Sequence, residues 1–442
     1  MTGALATSGR FLSPPHDCAK PLARLWRMAL AGTALTGLAL MPELAAAQEG
    51  QSLGEETVQS VRERSKPGYD ALGIRAGSFL LYPSLTAKLL FDSNVFAQPG
   101  GEISDWAAIT TPRLAAESSW SRHALTFELQ ARDVRYFDET SQNFTDVYGR
   151  VAGRLDVRRD LAIQGSLRLA REHTPLGSGD APGLAAEPVA DTVFDSELAI
   201  NKTFNRVKVT VRGGYESHNY EDVPAVGGGP LLDQDFRDGD AYHVGGRVAV
   251  AISPDTNVFG DVTYTRTEYG NAGIALSDSD TIRVLAGLEF APSALVRGQI
   301  GVGYTWRGYD GVGIADQDGV AYLADIIWNP TPLITVTLGG EGRIEDTTIA
   351  AASGRISSSG HVIVDYELLR NLIVSPQITV LHQDYTGISR DDLLITPGIR
   401  VDYMANRYLH VGGEYFFTSR DSSVDVFDYD RHLFGLYAKA QF

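Results

Sequence analysis

Two histidines, His218 and His243, flank a polar loop and are the residues of this chain best placed for acid–base chemistry. A histidine that is oriented by a carboxylate can act as a general base in hydrolysis. The carboxylates near these histidines along the chain are Asp233, Asp235, Asp238 and Asp240. A hydrolytic Asp/His site in this loop is therefore one hypothesis, and a set of solvated loop residues is the other.

The same loop has the density of oxygen atoms that a calcium site needs. Its run from Asp233 to Asp240 nevertheless lacks the D-x-D-x-D-G spacing and the twelfth-position glutamate of an EF-hand loop. The chain contains neither a His-x-x-x-His pair nor a Gly-x-Ser-x-Gly elbow. The sequence thus favours an acidic, water-facing loop, and it predicts no catalytic residue, no metal and no cofactor.

The segments that must position these residues alternate between apolar and polar side chains, which is the pattern of a two-faced β-strand. Between residues 296 and 307, valine, isoleucine and aromatic residues alternate with arginine, glutamine, glycine and threonine. Residues 125–132, 207–216 and 409–420 repeat the pattern. Because an apolar face repeated around a closed sheet would aggregate in water, we expect that face to contact lipid.

Turns rich in proline and asparagine separate these strands at intervals of roughly 35 to 50 residues, the length of two strands and one longer loop. We expect an all-β fold, a transmembrane antiparallel up-and-down β-barrel of about 18 strands, within roughly 16 to 20. Short turns should lie in the periplasm and longer loops outside the cell, the longest of them at 174–191 and 221–235. The short turns are predicted at 158–160, 205–206, 253–256, 291–293, 329–332, 370–371 and 405–407.

Both ends of the chain indicate export to the bacterial cell outer membrane. Basic residues at 20–27, an apolar run at 28–41 and three alanines at 45–47 follow the order of a cleavable signal peptide. The last strand alternates and ends in Phe442, so it resembles the C-terminal signal of outer-membrane barrels that dedicated machinery assembles. A half-buried edge strand of a soluble protein is the alternative for this segment alone.

Three regions follow from these patterns: a signal peptide at 1–47, a flexible periplasmic N-terminal extension at 48–75, and the barrel at 76–442. The extension is polar and aperiodic, and a plug inside the barrel is the alternative. Cys18, the only cysteine, precedes the expected cleavage site, so the mature chain would have no thiol. A formal net charge of -17 makes nucleic acid a poor candidate partner.

Residues 69–85 (YDALGIRAGSFLLYPSL) and 91–96 (FDSNVF) resemble the opening of the putative β-barrel porin family of Gram-negative bacteria. Some members are similar to outer-membrane proteins that are associated with exopolysaccharide export. The resemblance is sharp over residues 69–96 and general over the other strands. It implies an outer-membrane barrel of unspecified cargo, and it transfers no active-site residue.

Strand alternation also predicts which charged residues face the water-filled interior. Rings of charge inside a pore set its ion preference, and this set leans basic. It suggests an anionic solute or an acidic polysaccharide as cargo, whereas pairing of the charges across neighbouring strands is the alternative. The predicted pore-lining residues are Arg132, Arg168, Lys208, Arg212, Arg297, Arg307, Arg343, Arg420, Lys439, Glu128, Glu216, Asp261, Glu341 and Glu414.

These observations predict an outer-membrane channel or conduit that is linked to exopolysaccharide export. A general diffusion porin for small solutes, including anionic ones, is the alternative within the same class. From another class come an outer-membrane hydrolase and an adhesive barrel with a loop-borne site. The expected partners are outer-membrane lipid, the barrel-assembly machinery through the strand ending in Phe442, and components of polysaccharide export.

Overall fold

Eighteen antiparallel strands form the wall of the protein in a computed structural model that describes residues 58–174, 176, 185–270, 276–311, 313–349 and 352–442. The predicted signal peptide and residues 48–57 lie outside the described residues. The strands are β1 (Phe79–Asp92), β2 (Asp105–Ser118), β3 (Ala124–Tyr136), β4 (Phe144–Arg158), β5 (Leu161–Thr174), β6 (Val189–Phe204), β7 (Val207–Tyr220), β8 (Gly239–Ser253), β9 (Thr256–Tyr269), β10 (Ser279–Ser293), β11 (Val296–Tyr309), β12 (Gln317–Thr331), β13 (Ile334–Glu345), β14 (Gly354–Leu369), β15 (Leu372–Thr386), β16 (Arg390–Met404), β17 (Leu409–Ser422) and β18 (Tyr429–Gln441).

The sheet closes on itself because the first strand pairs with the last. Residues Ser84 to Asp92 of β1 lie opposite Gln441 to Leu433 of β18, and every other strand pairs with its neighbours along the chain. The backbone N–H of Phe442 also donates to the carbonyl oxygen of Pro83, at 3.2 Å. Closure gives the backbone N–H and C=O groups of both terminal strands partners within the protein, as a lipid environment requires. The predicted closed barrel and its strand number are confirmed.

The two ends of the barrel differ in the way that the sequence predicts. The periplasmic end has tight turns, and Asn205 occupies one of them with φ at 54°, a left-handed conformation that asparagine tolerates. The turn predicted at 291–293 lies two residues later, because β10 continues until Ser293 pairs with Val296. At the outer end, residues 221–238 join β7 to β8, whereas half of the loop predicted at 174–191 lies outside the described residues.

Side chains of opposite character occupy the two faces of each strand. Along β11, Val302 is 62% exposed and Trp306 is 48% exposed on the outer face, whereas Arg297 and Arg307 on the inner face are buried. Exposed aromatic rings form two belts near the strand ends, as expected for the two interfaces of a bilayer. Those near the outer end are Trp106, Tyr264, Trp306, Tyr415 and Phe434, and those near the periplasmic end are Phe204, Trp328, Tyr403, Tyr408 and Phe442.

Helical structure in the described ranges consists of the 3₁₀ turns Thr140–Gln142, Asp235–Arg237 and Asp425–Phe427. No helix within those ranges has the length and apolar character needed to span a bilayer. A three-residue strand, Ile74–Ala76, folds back on the start of β1 and connects the barrel to the residues that precede it.

Replacement of Val302, in the middle of the lipid-facing side of β11, by arginine tests the orientation of the barrel wall. A cation at the bilayer midplane should lower the free energy of unfolding by roughly 2–4 kcal/mol, as measured by denaturant titration in lipid vesicles. Val302→Leu is the control and should change the stability little. Equal stability of the two variants would mean that this face does not contact lipid.

Candidate functional site

Charged side chains on the inner wall form ion pairs that cross more than one strand. Arg212 of β7 donates to both carboxylate oxygens of Asp261 on β9, at 2.8 and 2.7 Å, and to the hydroxyl of Thr263 at 2.6 Å. Gly245 of β8 lies between them, and a Cβ there would come within 3.0 Å of the guanidinium. The glycine thus gives Arg212 room to reach across β8, and a bidentate charged pair fixes its position.

A second network joins the two ends of the chain across the barrel seam. The Nζ of Lys88 on β1 donates to Oε1 of Glu414 on β17 at 2.6 Å, and Arg400 of β16 donates to Oε2 of the same carboxylate at 3.1 Å. Gly435 of β18 lies opposite Glu414 and leaves room for this contact over the intervening strand. The network therefore ties β16 and β17 to β1.

The most deeply buried network surrounds Asp392 near the outer end of β16. Its carboxylate is fully buried and accepts two hydrogen bonds from Arg390, at 3.0 and 2.7 Å, and one from the Ser422 hydroxyl at 2.5 Å. Arg420 forms a further ion pair with the same carboxylate. Several donors on one carboxylate offset the cost of removing it from water.

A cavity of about 520 Å³ lies inside the barrel, against strands β6 to β13. Its wall carries carboxylates and basic side chains together with a row of threonines and the ring of Phe259, against which the Arg247 guanidinium packs at 3.7 Å from the ring centroid. Half of the predicted pore-lining residues meet here: Lys208, Arg212, Glu216, Asp261, Arg307, Glu341 and Arg343.

The other predicted pore-lining residues are dispersed around the wall. Lys439 lies opposite Thr86 of β1 and His410 of β17. The others form pairs or networks of their own: Arg132 with Asp146, Arg168 with Glu172, Arg297 with Glu63, Arg420 with Asp392, Glu128 with Arg113 and Tyr148, and Glu414 with Lys88 and Arg400.

The inner wall carries more charge of both signs than the predicted set contains. Carboxylates that the prediction omitted also face inward and pair with the basic side chains, because burial of many like charges without partners would be costly. Applying the strand alternation to every strand would have found them in the sequence. Their ion pairs are Asp92 with Arg431, Glu289 with Arg247, Glu345 with Arg355, Asp392 with Arg390, and both Asp365 and Asp402 with Arg62.

Residues 58–73, hereafter the strap, lie inside the periplasmic end of the barrel. The guanidinium of Arg62 donates to Asp365 on β14 at 2.6 Å, to Ser375 on β15 at 2.6 Å and to Asp402 on β16 at 2.8 Å. Burial alone would lower the pKa of Arg62, but the carboxylates of Asp402 and Asp365 raise it above its usual value. The side chain therefore stays charged and anchors the strap to three strands.

Further contacts extend along the strap. The backbone N–H of Val61 donates to the Thr335 hydroxyl at 2.8 Å, and the carbonyl oxygen of Gln59 accepts from the Asn329 amide at 3.0 Å. Lys66 donates to Glu367 at 3.3 Å, although burial lowers the pKa of this lysine. Val61 also packs against the inward side chains of Ile373 and Met404 in a small apolar cluster.

The position of the strap differs from the flexible extension expected for residues 48–75. The segment lacks apolar periodicity, but its charged side chains Arg62, Glu63 and Lys66 each form an ion pair with an oppositely charged residue of the inner wall. No signal in the local sequence would have revealed these partners, because they lie hundreds of residues further along the chain. The charge of the segment, not its hydrophobicity, holds it in place.

The two histidines of the hydrolase hypothesis contact other carboxylates than those expected. His218 hydrogen-bonds with Asp191 at 2.7 Å and with Glu216 at 2.6 Å, and His243 hydrogen-bonds with Glu197 at 3.2 Å. Of the loop carboxylates, Asp238 instead accepts from the amide of Asn219 and the backbone N–H of Tyr220, and Asp240 accepts from the Tyr215 hydroxyl. The histidines therefore belong to the inner wall, because their strand positions direct them inward.

The outer loop brings Asp222, Asp233 and Asp235 together, with one oxygen atom of each within 4.8 Å of the others. All three side chains are exposed, and repulsion from Asp222 and then Asp233 raises the pKa of Asp235. The arrangement fits the expected acidic, water-facing loop.

A closed barrel with an apolar outer face, aromatic belts and a charged, hollow interior defines an outer-membrane β-barrel channel. The chain belongs to the family described as "Putative beta-barrel porin 2", whose model matches residues 66–442. The family and the fold indicate a channel and not an enzyme, and they place the protein in the Gram-negative outer membrane. None of the curated proteins matches the chain.

The chain is also similar to solved outer-membrane proteins. OccK2 (OpdF) of Pseudomonas aeruginosa is 12% identical, with a TM-score of 0.45 over 85% of this chain and 99% of that one. A BenF-like porin of Pseudomonas fluorescens Pf-5 is 11% identical, with a TM-score of 0.43 over 82% of this chain and 99% of that one. The siderophore receptor PirA of Pseudomonas aeruginosa is 7% identical, with a TM-score of 0.42 over 82% of this chain and 80% of that one.

Replacement of Asp392 by asparagine tests whether the buried networks support the wall. It removes the charge that Arg390 and Arg420 share, so the free energy of unfolding should fall by roughly 3–5 kcal/mol in a denaturant titration. Asp391→Asn changes the neighbouring exposed carboxylate and should have little effect. A similarly small effect for Asp392→Asn would contradict the structural importance of this network.

Proposed function

We propose that the protein is a selective channel for small polar solutes, with the strap as a constriction at its periplasmic mouth. The observation that carries this proposal is the cavity of about 520 Å³ within the barrel. Cavities of roughly 300–1,000 Å³ are typical of sites for small molecules. A solute of that size would fit the cavity, and the polar groups around it would replace its hydration shell.

The chemistry of the cavity wall supports a solute with several polar groups. Threonine hydroxyls at 210, 263, 265, 267 and 281 can both donate and accept hydrogen bonds. Carboxylates and basic side chains lie on either side of them. Because both signs of charge line the wall, we expect only weak preference between small cations and anions, with the 14 predicted pore-lining residues contributing to it.

The strap supports the idea of selection rather than unrestricted diffusion. Its contacts extend from Arg297 at the start of β11 to Gln441 at the end of β18, where the Gln441 amide donates to the carbonyl oxygen of Tyr69 at 3.3 Å. A segment fixed along this length of the inner wall reduces the cross-section of the mouth. Solutes that leave the cavity toward the periplasm must pass beside it.

Solute uptake into reconstituted lipid vesicles tests the proposed channel. We expect monosaccharides and amino acids to enter at rates well above those of protein-free vesicles, and large oligosaccharides to be excluded. A folded barrel that admits no small solute, even without the strap, would overturn the proposal.

Replacement of Arg62 by alanine should release the strap and raise the single-channel conductance. The variant loses the contacts with Asp365, Ser375 and Asp402, and leaves the buried carboxylate of Asp365 and the half-buried one of Asp402 without their shared cation. Arg75→Ala, in the three-residue strand beside β1, removes an exposed arginine and should leave the conductance unchanged. Equal conductance of the two variants in planar bilayers would show that the strap does not restrict the mouth.

A role in exopolysaccharide export is a second proposal, favoured by the similarity of residues 69–96 to proteins associated with such systems. A polymer could pass only after the strap had left the lumen, and components of the export system in the periplasm would be suited to displace it. Outer-membrane lipid would contact the apolar outer face, and the assembly machinery would bind the strand ending in Phe442.

A deletion strain separates the two proposals. Loss of surface polysaccharide with normal uptake of small polar solutes would support export. Normal polysaccharide with reduced uptake would support the solute channel, and re-expression of the Arg62→Ala variant should then raise the uptake above that of the original strain.

A further inference from the structure

Two carboxylates face each other on the inner wall at the edge of the cavity. Asp195 on β6 and Glu216 on β7 are direct register partners, and both line the cavity. Like charges at directly opposed positions of an antiparallel sheet repel each other. The pair therefore needs positive charge nearby.

The basic side chain nearest to Asp195 in the register does not form an ion pair with it. Arg168 of β5 lies opposite Asp195, but its guanidinium forms an ion pair with Glu172. Asp195 is 4% exposed, and its Oδ1 has no hydrogen-bond partner in the part of the chain that the structure describes. Because Asp195 lines the cavity and forms no ion pair with a described residue, its carboxylate marks a place where a ligand can donate a hydrogen bond.

Neighbouring residues increase the negative character of this corner. His218 hydrogen-bonds with both Glu216 and Asp191, and His243 hydrogen-bonds with Glu197. His243 also lines the cavity. The histidines hold Glu216, Asp191 and Glu197 in place. Asp191, like Asp195, has one buried oxygen without a hydrogen-bond partner among the described residues, but Asp195 lines the cavity and Asp191 does not.

The geometry favours an organic cation over a metal ion. Among the described residues, the set that brings three potential ligand atoms within 4.8 Å of one another is the loop set of Asp222, Asp233 and Asp235. Neither Asp195 nor Glu216 belongs to such a set. An ammonium or guanidinium group, whose N–H donors point in several directions, matches separated acceptors better than a small ion does.

We propose that Asp195 and Glu216 form a lumenal subsite for the cationic group of a small organic solute, an alkylammonium or a guanidinium. This inference rests on the proposed function as a channel for small polar solutes, and it specifies a solute class. It also differs from the anionic cargo that the sequence suggested for the lumen as a whole.

Uptake of glucamine and of sorbitol into vesicles tests the subsite, because the two solutes differ by an ammonium in place of one hydroxyl. We expect glucamine uptake to saturate and to exceed sorbitol uptake about tenfold at low concentration, the effect of one charge-assisted hydrogen bond. Asp195→Asn should remove the saturation and most of the difference. Asp384→Asn, at an exposed position on the outer face of β15, should retain both.

The outcomes separate this inference from the channel itself. Equal uptake of the two solutes by the original protein, or an undiminished difference in Asp195→Asn, would overturn the subsite while the channel stands. If neither solute enters through the original protein or the Arg62→Ala variant, the channel proposal fails and the subsite with it. Should Asp195→Asn not show the altered gel mobility of a folded barrel, Glu216→Gln provides the same comparison.

Discussion

The structure depends on one constraint, that backbone N–H and C=O groups within lipid must find partners inside the protein. Pairing of β1 with β18 meets it by closing the sheet. Once the sheet is closed, strand alternation assigns every side chain to lipid or to the lumen, so the polar half of the sequence must line the interior. Single residues such as Val302 and Arg307, five positions apart on β11, thus lie in opposite environments.

Confinement of so many charges to the lumen determines its architecture. Removal of a charge from water is costly, and the inner wall offsets this cost with pairs and networks that extend over glycines such as Gly245 and Gly435. The strap is held by the same interaction, through Arg62 on two carboxylates. Asp195 departs from the pattern, and for that reason it is the position at which we place a ligand.

The sequence predicts the barrel well because alternation, turn residues and the terminal strand are local signals. Half of the residues that it predicts for the pore lie in the cavity wall, since Lys208 or Arg343 needs only strand parity to be placed inside. The sequence does not predict which charged residues form ion pairs with one another. Arg62 and Asp365 are 303 residues apart, and neither the aperiodic strap nor the strand carries a local signal for the other. The predicted set of inward charges is incomplete for a different reason, because strand alternation was not applied to every strand and residues such as Asp392 and Arg390 were left out.

The central claim is that the strap lies within the barrel, and a cysteine pair tests it directly because the natural chain has no cysteine beyond Cys18. The backbone N–H of Val61 donates to the Thr335 hydroxyl at 2.8 Å, so cysteines at both positions lie within reach of a short bifunctional thiol reagent. The double variant Val61→Cys/Thr335→Cys should be cross-linked by such a reagent in the folded, membrane-embedded protein and keep the conductance of the original chain. Two free thiols that react readily with a membrane-impermeant reagent would contradict the account.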